Sequence, residues 1–280
     1  MRVLDNGQVF FDYGPVSMVV NAVRDGQTDT ELIESAFPVI DDTLKRLGES
    51  LTQLRKYPAD VDVSALSGTA RVMAEAVIAT NDPYLTPMAA VAGSVSDAVA
   101  DYLAARGAEK VSANNGGDIA IRLSGENVMR LGVVSDLKTG TVSRAVTLTA
   151  AGGIGGVATS GLGGRSLTQG IASAVTVFSE RCANADALAT LLANRSYLAL
   201  PAVQTVRAGI LDPESDIADL DVVTQVGALT DGEKEQALAQ VLAEAETQYK
   251  NGLMRACIAT VQHKTMVFDP EGILRTESIQ

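Results

Sequence analysis

The residues with the clearest potential for chemistry lie between Ala150 and Asn194. Glycine is concentrated at the start of this segment, at Gly152, Gly153, Gly155, Gly156, Gly161, Gly163 and Gly164. Glycine lets a backbone lie close to a ligand and direct its N–H groups at an anion, so the run predicts a phosphate cradle. Hydroxyl groups and one positive charge come from Thr159, Ser160, Arg165 and Ser166. The run matches neither a Walker A loop nor a Rossmann fingerprint.

An alanine-rich helix is predicted after the glycine run, and it carries Asp186 and Thr190. Residues four positions apart lie on the same face of a helix. A carboxylate and a hydroxyl group on one face are suitable ligands for a hard divalent cation. A phosphate cradle followed by a cation-binding pair predicts a site for a nucleotide or another phosphorylated ligand.

A second candidate is the sequence NNGGD, which lies between two predicted strands, 110–114 and 119–123. Asn and Gly suit the tight turn of a β-hairpin, so the motif has a purely structural explanation. In the functional interpretation, the Asn amides hydrogen-bond a ligand and Asp118 supplies a carboxylate at the turn. The residues alone leave both interpretations open.

Small residues also crowd the predicted helix that follows Pro87, at Ala89, Ala90, Ala92, Gly93 and Ser94. The start of a helix binds anions through its unpaired N–H groups and its dipole. Close packing against another helix explains the same residues equally well, and both interpretations stay open here.

Two other features have simpler explanations. The acidic stretch from Leu211 to Asp216 is interpreted as a solvated loop in preference to a second metal site. The single histidine, His263, is expected in a late strand or at its edge, as a partly exposed residue without a catalytic role. Metal sites that need several histidines are excluded.

Composition limits the partners. The net charge is −12, with no run rich in Lys or Arg, which argues against nucleic acid and anionic membranes as partners. No stretch of eighteen apolar residues, no signal peptide and no lipid-attachment cysteine are recognised, so we expect a cytoplasmic protein. Cys182 and Cys257 fit neither a disulfide scaffold nor a zinc site. The sequence leaves open whether the chain forms a homo-oligomer.

The predicted elements alternate irregularly, with several strands in succession, which is typical of an α+β fold. No linker is evident, so residues 1–280 are expected to form a single domain. The predicted helices are 28–57, 68–80, from Pro87 to about Gly107, the helix that carries Asp186, and 230–251. Capping boxes are predicted at the start of two of them, Thr28 with Glu31 and Thr230 with Glu233. The predicted strands lie within 3–20 and at 110–114, 119–123, 128–134, 145–149, 172–178 and 253–268, followed by a C-terminal tail of ten residues.

Three of these segments together resemble the ApbE superfamily, the FAD:protein FMN transferases, and more closely its shorter branch. They are PMAAVAGSVSDAV from Pro87, NNGGDI from Asn114, and TSGLGGRS…AVTV…ADALAT from Thr159. The resemblance covers about residues 86–194, in consistent order. It implies an α+β fold that binds a flavin nucleotide, FAD or FMN, together with Mg²⁺.

The resemblance also implies roles for individual residues. The metal ligands of the family fall on Asp186 and Thr190. Its N-x-GGD turn corresponds to Asn114, Gly116, Gly117 and Asp118, and its TSG segment to Thr159, Ser160 and Gly161. The implied reaction is attack of a protein hydroxyl on the FMN phosphorus, with release of AMP.

The chain departs from the transferases at two places. Where they carry His-x-x-Asp-Pro-x-Thr-Gly, it reads GRSLTQG, and where they carry a lysine before the glycine of a G-x-x-x-D helix, it has Ala92. Two functions are therefore considered. The first is a Mg²⁺-dependent transferase or hydrolase acting on a flavin or a related phosphorylated ligand, with no catalytic side chain assigned. The second is a protein that binds a flavin, a nucleotide or another small molecule and has lost the transferase chemistry.

Overall fold

A ten-stranded antiparallel sheet is the central element of the protein, whose computed structural model describes residues 1–278. The strands of the described chain are β1 (Arg2–Val3), β2 (Val9–Tyr13), β3 (Val16–Arg24), β4 (Gln27–Thr28), β5 (Lys110–Asn115), β6 (Asp118–Leu123), β7 (Val128–Asp136), β8 (Thr141–Thr149), β9 (Gly156–Ser160), β10 (Ala174–Ser179), β11 (Val203–Arg207), β12 (Asp221–Val226), β13 (Ala256–Val261), β14 (Lys264–Phe268) and β15 (Arg275–Ser278). The α-helices are α1 (Thr30–Glu34), α2 (Phe37–Leu54), α3 (Gly68–Ile78), α4 (Val91–Ala104), α5 (Cys182–Arg195), α6 (Ala208–Leu211) and α7 (Asp231–Lys250). The predicted α+β class is confirmed.

The strand order of the central sheet is β1-β2-β3-β5-β6-β9-β10-β13-β14, with β4 beside β3. Strands β7, β8 and β15 form a separate sheet in the order β15-β8-β7, and β11 pairs with β12. Helices α4 and α5 pack on the strands at the middle of the large sheet. They lie over β5, β6, β9 and β10. These strands carry the NNGGD turn, between β5 and β6, and the part of the glycine-dense run that forms β9.

The central strands are buried on both faces, so successive side chains enter two different cores. On β10, Val175 and Val177 point into the larger core, which the helices cover, whereas Phe178 enters the smaller one. The smaller core lies between the central sheet and the sheet of β7, β8 and β15, and its side chains include Leu148 and Leu274.

The long helix predicted for 28–57 is two helices, α1 and α2, with a break at Ser35 and Ala36. Pro38 lies in the first turn of α2, where its missing N–H group costs nothing. The predicted capping box at Thr28 is wrong, because Thr28 belongs to β4. The N-cap is Asp29, which accepts a hydrogen bond of 2.9 Å from the Leu32 N–H group.

The capping box predicted at Thr230 is confirmed. The Thr230 hydroxyl oxygen accepts from the Glu233 N–H group, and the Glu233 carboxylate accepts from the Thr230 N–H group at 2.7 Å. These two contacts satisfy two of the N–H groups that an α-helix leaves unpaired at its start, and α7 begins at the next residue.

The predicted C-terminal tail is wrong as far as the structure describes it. Residues Arg275–Ser278 form β15 and pair antiparallel with β8, with Arg275 opposite Thr147. The preceding residue, Leu274, is buried in the smaller core. Residues 279–280 of the predicted tail lie outside the described residues. This segment is ordered by contact with β8, which lies more than a hundred residues away in the chain. Its own sequence does not predict a strand.

Candidate functional site

A cavity of about 480 Å³ opens at the junction of α4, α5, the β5–β6 turn and the end of β9. Its apolar wall includes Leu44, Tyr84, Leu85, Met88, Val91 and Val95. Its polar wall includes Asp118, Thr159, Ser160, Arg165, Ser166, Asp186 and Thr190. A cavity with one apolar side and a few convergent polar groups is typical of a small-molecule site.

Most of the predicted site residues meet in this cavity. Lining it are Gly116, Asp118, Thr159, Ser160, Gly161, Arg165, Ser166, Asp186 and Thr190. Asn114 and Gly117 are not among the lining residues. The Asn114 side-chain oxygen instead accepts a 2.9 Å hydrogen bond from the Gly117 N–H group and closes the β5–β6 turn. The NNGGD motif therefore combines the two interpretations: it is a hairpin turn that also presents a carboxylate to the cavity.

Of the two Asn residues of NNGGD, the one that lines the cavity is Asn115, which the family resemblance left without a role. Buried and less buried residues alternate along β5, and Asn115 falls on the buried face with Val111 and Ala113. Its side-chain oxygen accepts a hydrogen bond of 3.2 Å from the Ser17 N–H group. The period-2 pattern of β5 is the signal that could have found it.

Asp118 and Asp186 lie close enough in the cavity for each carboxylate to disfavour ionisation of the other. Burial raises the pKa of Asp118 to about 7, against a lowering influence of the positive charge of Arg165. The pKa of Asp186 is raised well above its ordinary value by burial and then by the charge of Asp118. Ionising both carboxylates together is therefore unfavourable, and a bound cation would favour their ionised forms.

Replacing Asp118 by Asn is expected to stabilise the ligand-free protein at neutral pH. Asp118 takes up a proton on folding wherever the pH lies between about 4, its unfolded pKa, and its folded pKa of about 7. Its contribution to the free energy of unfolding therefore falls as pH rises through this window. We expect the advantage of Asp118→Asn over the parent chain to grow from pH 4 to pH 7 and then to level off.

Urea unfolding at a series of pH values, with EDTA present, measures this difference directly. Asp60→Asn is a suitable control, because Asp60 is exposed in the short 3₁₀ turn Pro58–Asp60, away from the carboxylate pair. A pH-independent difference for Asp118→Asn would mean that folding does not raise the pKa of Asp118, and the argument from burial would be wrong.

Helices α4 and α5 cross at very short distance where Gly93 meets Cys182. A Cβ atom at Gly93 would lie 2.3 Å from the Cys182 carbonyl oxygen and 2.8 Å from the Asp186 Cβ atom. The Gly93 N–H group donates a hydrogen bond of 2.8 Å to Asp186 Oδ2. Gly93 thus has a packing role, whereas its neighbours Ala89 and Ala92 line the cavity.

The glycine-dense run is largely not a phosphate cradle. Its Gly156 is part of β9 and packs on the start of α5, where an added Cβ atom would lie 2.3 Å from the Cys182 Cα atom. Gly155 packs in the same way on the Glu180 carbonyl oxygen. From the run, Gly161 and Gly164 line the cavity. Gly155 and Gly156 therefore reflect the close approach of β9 to the backbone at the start of α5, whereas Gly153, with φ of +64°, ends the 3₁₀ turn Ala150–Gly152.

Both arginines that line the cavity face carboxylates of the same cavity. The Arg165 guanidinium lies over Gly116, where an added Cβ atom would stand 2.3 Å from Arg165 Nη1, and its charge acts on Asp118. Arg55 lies 3.8 Å from the Glu214 carboxylate. Among the described residues Arg165 makes no ion pair within 4 Å, so its charge can also meet an anionic ligand in the cavity.

The acidic stretch that was interpreted as a solvated loop lies at the cavity mouth. Its cavity-lining residues are Asp212, Glu214, Ser215, Asp216 and Ile217. The Thr86 hydroxyl donates a hydrogen bond to the Asp216 carboxylate and fixes the segment beside the start of α4. Asp212 and Glu214 are exposed, as expected for a solvated loop. Their position at the cavity was not expected from the sequence.

His263 lies in the tight turn between β13 and β14, with φ of +70°, and is not among the residues that line the cavity. Cys182 and Cys257 are both buried and unpaired, and burial raises the pKa of both thiols. Raised thiol pKa values disfavour the thiolate, so neither cysteine is suited to act as a nucleophile.

The donor set in the cavity fits a hard divalent cation. Within residues 1–278, no group of three or more His, Cys, Asp or Glu side chains is arranged to hold a metal ion. A Mg²⁺ site needs fewer protein ligands, since this ion keeps several waters and is commonly held by one or two carboxylates and ligand phosphates. Asp186 and Thr190 supply a carboxylate and a hydroxyl one helical turn apart, and Asp118 adds negative charge beside them.

None of the helices in the described part of the chain is both long enough and apolar enough to cross a membrane.

Comparison with known proteins agrees with this fold. The flavin transferase ApbE from Vibrio cholerae is similar in structure, with a TM-score of 0.51 and 15% sequence identity over 93% of this chain and 96% of that chain. The apo flavinyl transferase ApbE of Pseudomonas stutzeri has a TM-score of 0.48 and 17% identity, over 96% of this chain and 97% of that one. No curated protein matches the chain by sequence. The family model described as "AbpE bacteria" matches residues 1–268, far beyond the segment 86–194 that carries the resemblance. The chain therefore belongs to this ApbE-like family.

Proposed function

We propose that the cavity binds a flavin nucleotide as its complex with Mg²⁺, and that the protein transfers or hydrolyses the phosphorylated part of that ligand. The observation that carries the proposal is the arrangement of Asp186, Thr190 and Asp118 in one cavity with an apolar wall. The cation would lie at these residues, and a flat aromatic ring would lie against the apolar wall. The Vibrio cholerae protein of similar structure is a flavin transferase, which supports the same ligand class.

Each group has a definite part in this scheme. Asp186 and Thr190 would hold Mg²⁺, which when bound neutralises negative charge on a pyrophosphate. The Gly93 N–H group orients the Asp186 carboxylate, as outer partners of metal ligands commonly do. The Thr159 hydroxyl is held by the Thr176 hydroxyl at 2.8 Å, so it presents a fixed polar group to the ligand. The side chains of Ser160 and Ser166 complete the polar wall.

The proposed reaction cleaves the pyrophosphate of FAD. A hydroxyl oxygen forms a new bond to the FMN phosphorus, the bond from that phosphorus to the bridging oxygen breaks, and AMP leaves with that oxygen. The hydroxyl belongs to a protein side chain in transfer and to water in hydrolysis. Both versions release AMP, whereas free FMN is a product of hydrolysis alone.

A second candidate function is binding without chemistry, and the cavity contains a specific observation in its favour. Ala92 lines it at the place where the transferases of the resemblance carry a lysine, and the segment GRSLTQG contributes Arg165 and Ser166 in place of a histidine. A cavity with the cation-binding side chains but without these two groups is what a flavin carrier would retain.

Incubation with FAD and Mg²⁺, followed by mass spectrometry of the protein and of the small molecules, separates the two candidates. Under the proposal we expect AMP to appear, together with FMN or an FMN adduct, and both to be lost in EDTA. Bound FAD without AMP would support the carrier. Riboflavin, which has no phosphate, is the matched control ligand and should bind no better with Mg²⁺ than without it. Absence of any flavin binding would contradict both candidates.

A further inference from the structure

Asp97 is a buried carboxylate outside the cavity whose contacts connect it to Asp186. It lies one helical turn after Gly93 on α4 and is 1% exposed. Its oxygens lie 2.7 Å from Arg122 Nη2 and 3.4 Å from Arg181 Nε. A third contact reaches the other helix, because the Ala183 N–H group donates to Asp97 Oδ2 at 3.0 Å. Ala183 is the second residue of α5.

The start of α5 has no cap from its own sequence. Its N-cap residue, Arg181, makes no side-chain hydrogen bond to the first turn. An α-helix leaves its first N–H groups unpaired, and a carboxylate at this end also interacts favourably with the helix dipole. Asp97 therefore serves as the cap of α5 although it belongs to α4.

The reverse relation holds at the start of α4. The N-cap residue there is Ala90, which has no side-chain group to donate or accept, and the carboxylate that accepts from Gly93 belongs to Asp186 on α5. The two helices thus cap each other through Asp97 and Asp186. The contact is possible because Gly93 lets the two backbones approach closely.

We propose that Asp97 is a positioning residue for Asp186: by holding the first turn of α5, it sets where the Asp186 carboxylate lies in the cavity. The expected effect of Asp97 on cation binding rests on the proposed function. Its expected effect on the start of α5 does not, since the reciprocal capping involves only groups of the chain. Loss of the Asp97 contact would let the start of α5 shift relative to α4, and the hydrogen bond from Gly93 to Asp186 would weaken as a result.

Asp101 provides a matched control. It binds the same two arginines, with 2.7 Å from its carboxylate to Arg122 Nε and 2.7 Å to Arg181 Nη2. It is about half exposed, and the backbone N–H group of Ala183 donates to Asp97 and not to Asp101. A change that acts through the arginine charges should appear in both variants, whereas a change that acts through the helix start should appear in the Asp97 variants alone.

The test compares Asp97→Asn, Asp97→Ala and Asp101→Asn by two measurements on the full chain. The first is Mn²⁺ affinity, followed by electron paramagnetic resonance, which needs no turnover. The second is amide hydrogen exchange at Gly93 and Ala183, resolved by NMR spectroscopy. We expect Asp97→Ala to weaken Mn²⁺ binding by about 10-fold, the effect typical of outer partners of metal ligands. Exchange should accelerate at both amides, including that of Gly93, which donates to Asp186 and not to the Asp97 carboxylate.

The Asn variant keeps an oxygen acceptor for the Ala183 N–H group but loses the charge, so it should lie between the parent chain and the Ala variant. It also keeps the inference testable if Asp97→Ala fails to fold. Equal effects in Asp97→Asn and Asp101→Asn, or unchanged exchange at Gly93 in the Asp97 variants, would overturn the inference. If the parent chain binds no Mn²⁺, the cation site of the proposed function fails, and the exchange measurement alone decides the positioning role.

Discussion

Asp186→Asn is expected to abolish Mg²⁺-dependent ligand binding and any turnover while leaving the thermal stability of the ligand-free protein unchanged or slightly raised. The Asn side chain keeps an oxygen that can accept from the Gly93 N–H group at 2.8 Å, so the start of α4 remains capped. It loses the negative charge that a divalent cation requires. Since outer partners of metal ligands alone are worth about 10- to 100-fold in affinity, loss of the ligand itself should cost about 100-fold or more.

Asp186→Ala separates the capping role from the cation role. This variant should lose function to the same extent as Asp186→Asn, but it also leaves the Gly93 N–H group without its acceptor. Loss of a helix cap typically costs about 1 kcal/mol, so the free energy of unfolding should fall by roughly that amount. Urea unfolding with EDTA present, together with isothermal titration of FAD in the presence of Mg²⁺, measures both effects.

Asp216→Asn is the control for general charge in the cavity. Asp216 lines the same cavity, but at its mouth, where it accepts from the Thr86 hydroxyl. We expect it to change the affinity for the Mg²⁺ complex only a few-fold. If both variants weaken binding equally, the cation is held by the overall charge of the cavity, and the assignment to Asp186 is wrong.

Gly93→Ala should be among the most destabilising single-methyl changes in the chain. The added Cβ atom would stand 2.3 Å from the Cys182 carbonyl oxygen, so α4 and α5 must separate. Overpacking of this kind costs about 1–3 kcal/mol. The separation also moves Asp186 away from the start of α4, so binding of the Mg²⁺ complex should weaken in the same variant.

Gly48→Ala is the matched control, because it makes the same change inside another helix. Gly48 lies in α2, and a Cβ atom at this position would meet nothing within 4 Å. An Ala at an open helical position is worth about 0.5–1 kcal/mol relative to Gly, so this variant should be more stable than the parent chain. Chemical denaturation of the two variants side by side measures the contrast. A stable Gly93→Ala protein with unchanged binding would show that the crossing is looser than the structure indicates.

The parts of the site that lie on a single helix or turn could be predicted from the local sequence. Asp186 and Thr190 share a helix face because of their spacing alone, and both line the cavity. Similarly, Gly116 and Gly117 have positive φ, as the hairpin prediction requires, and the turn presents Asp118 at the start of β6. In each case the periodicity of a helix or the chemistry of a turn determines where the side chain lies.

Contacts between distant parts of the chain could not be predicted in this way. The segment from Asp212 to Asp216 reaches the cavity through Thr86 and Arg55, which are more than a hundred residues away, and its own sequence indicates only an acidic turn. From sequence, the glycine-dense run predicts a phosphate cradle. A glycine that lies against a ligand and a glycine that lies against a helix cannot be distinguished at that level. The structure shows that Gly156 approaches α5.

The close packing of Gly93 and Gly156 on the same residue, Cys182, has a consequence for how the family diverges. A side chain at either position would push the first turn of α5 away from α4 or from β9. In a related protein, such a side chain is therefore expected only together with a shifted α5. Because α5 forms part of the cavity wall, the shape of the cavity would then differ as well. We therefore expect both glycines in relatives that keep the same cavity, and a side chain at either position only in relatives whose cavity has another shape.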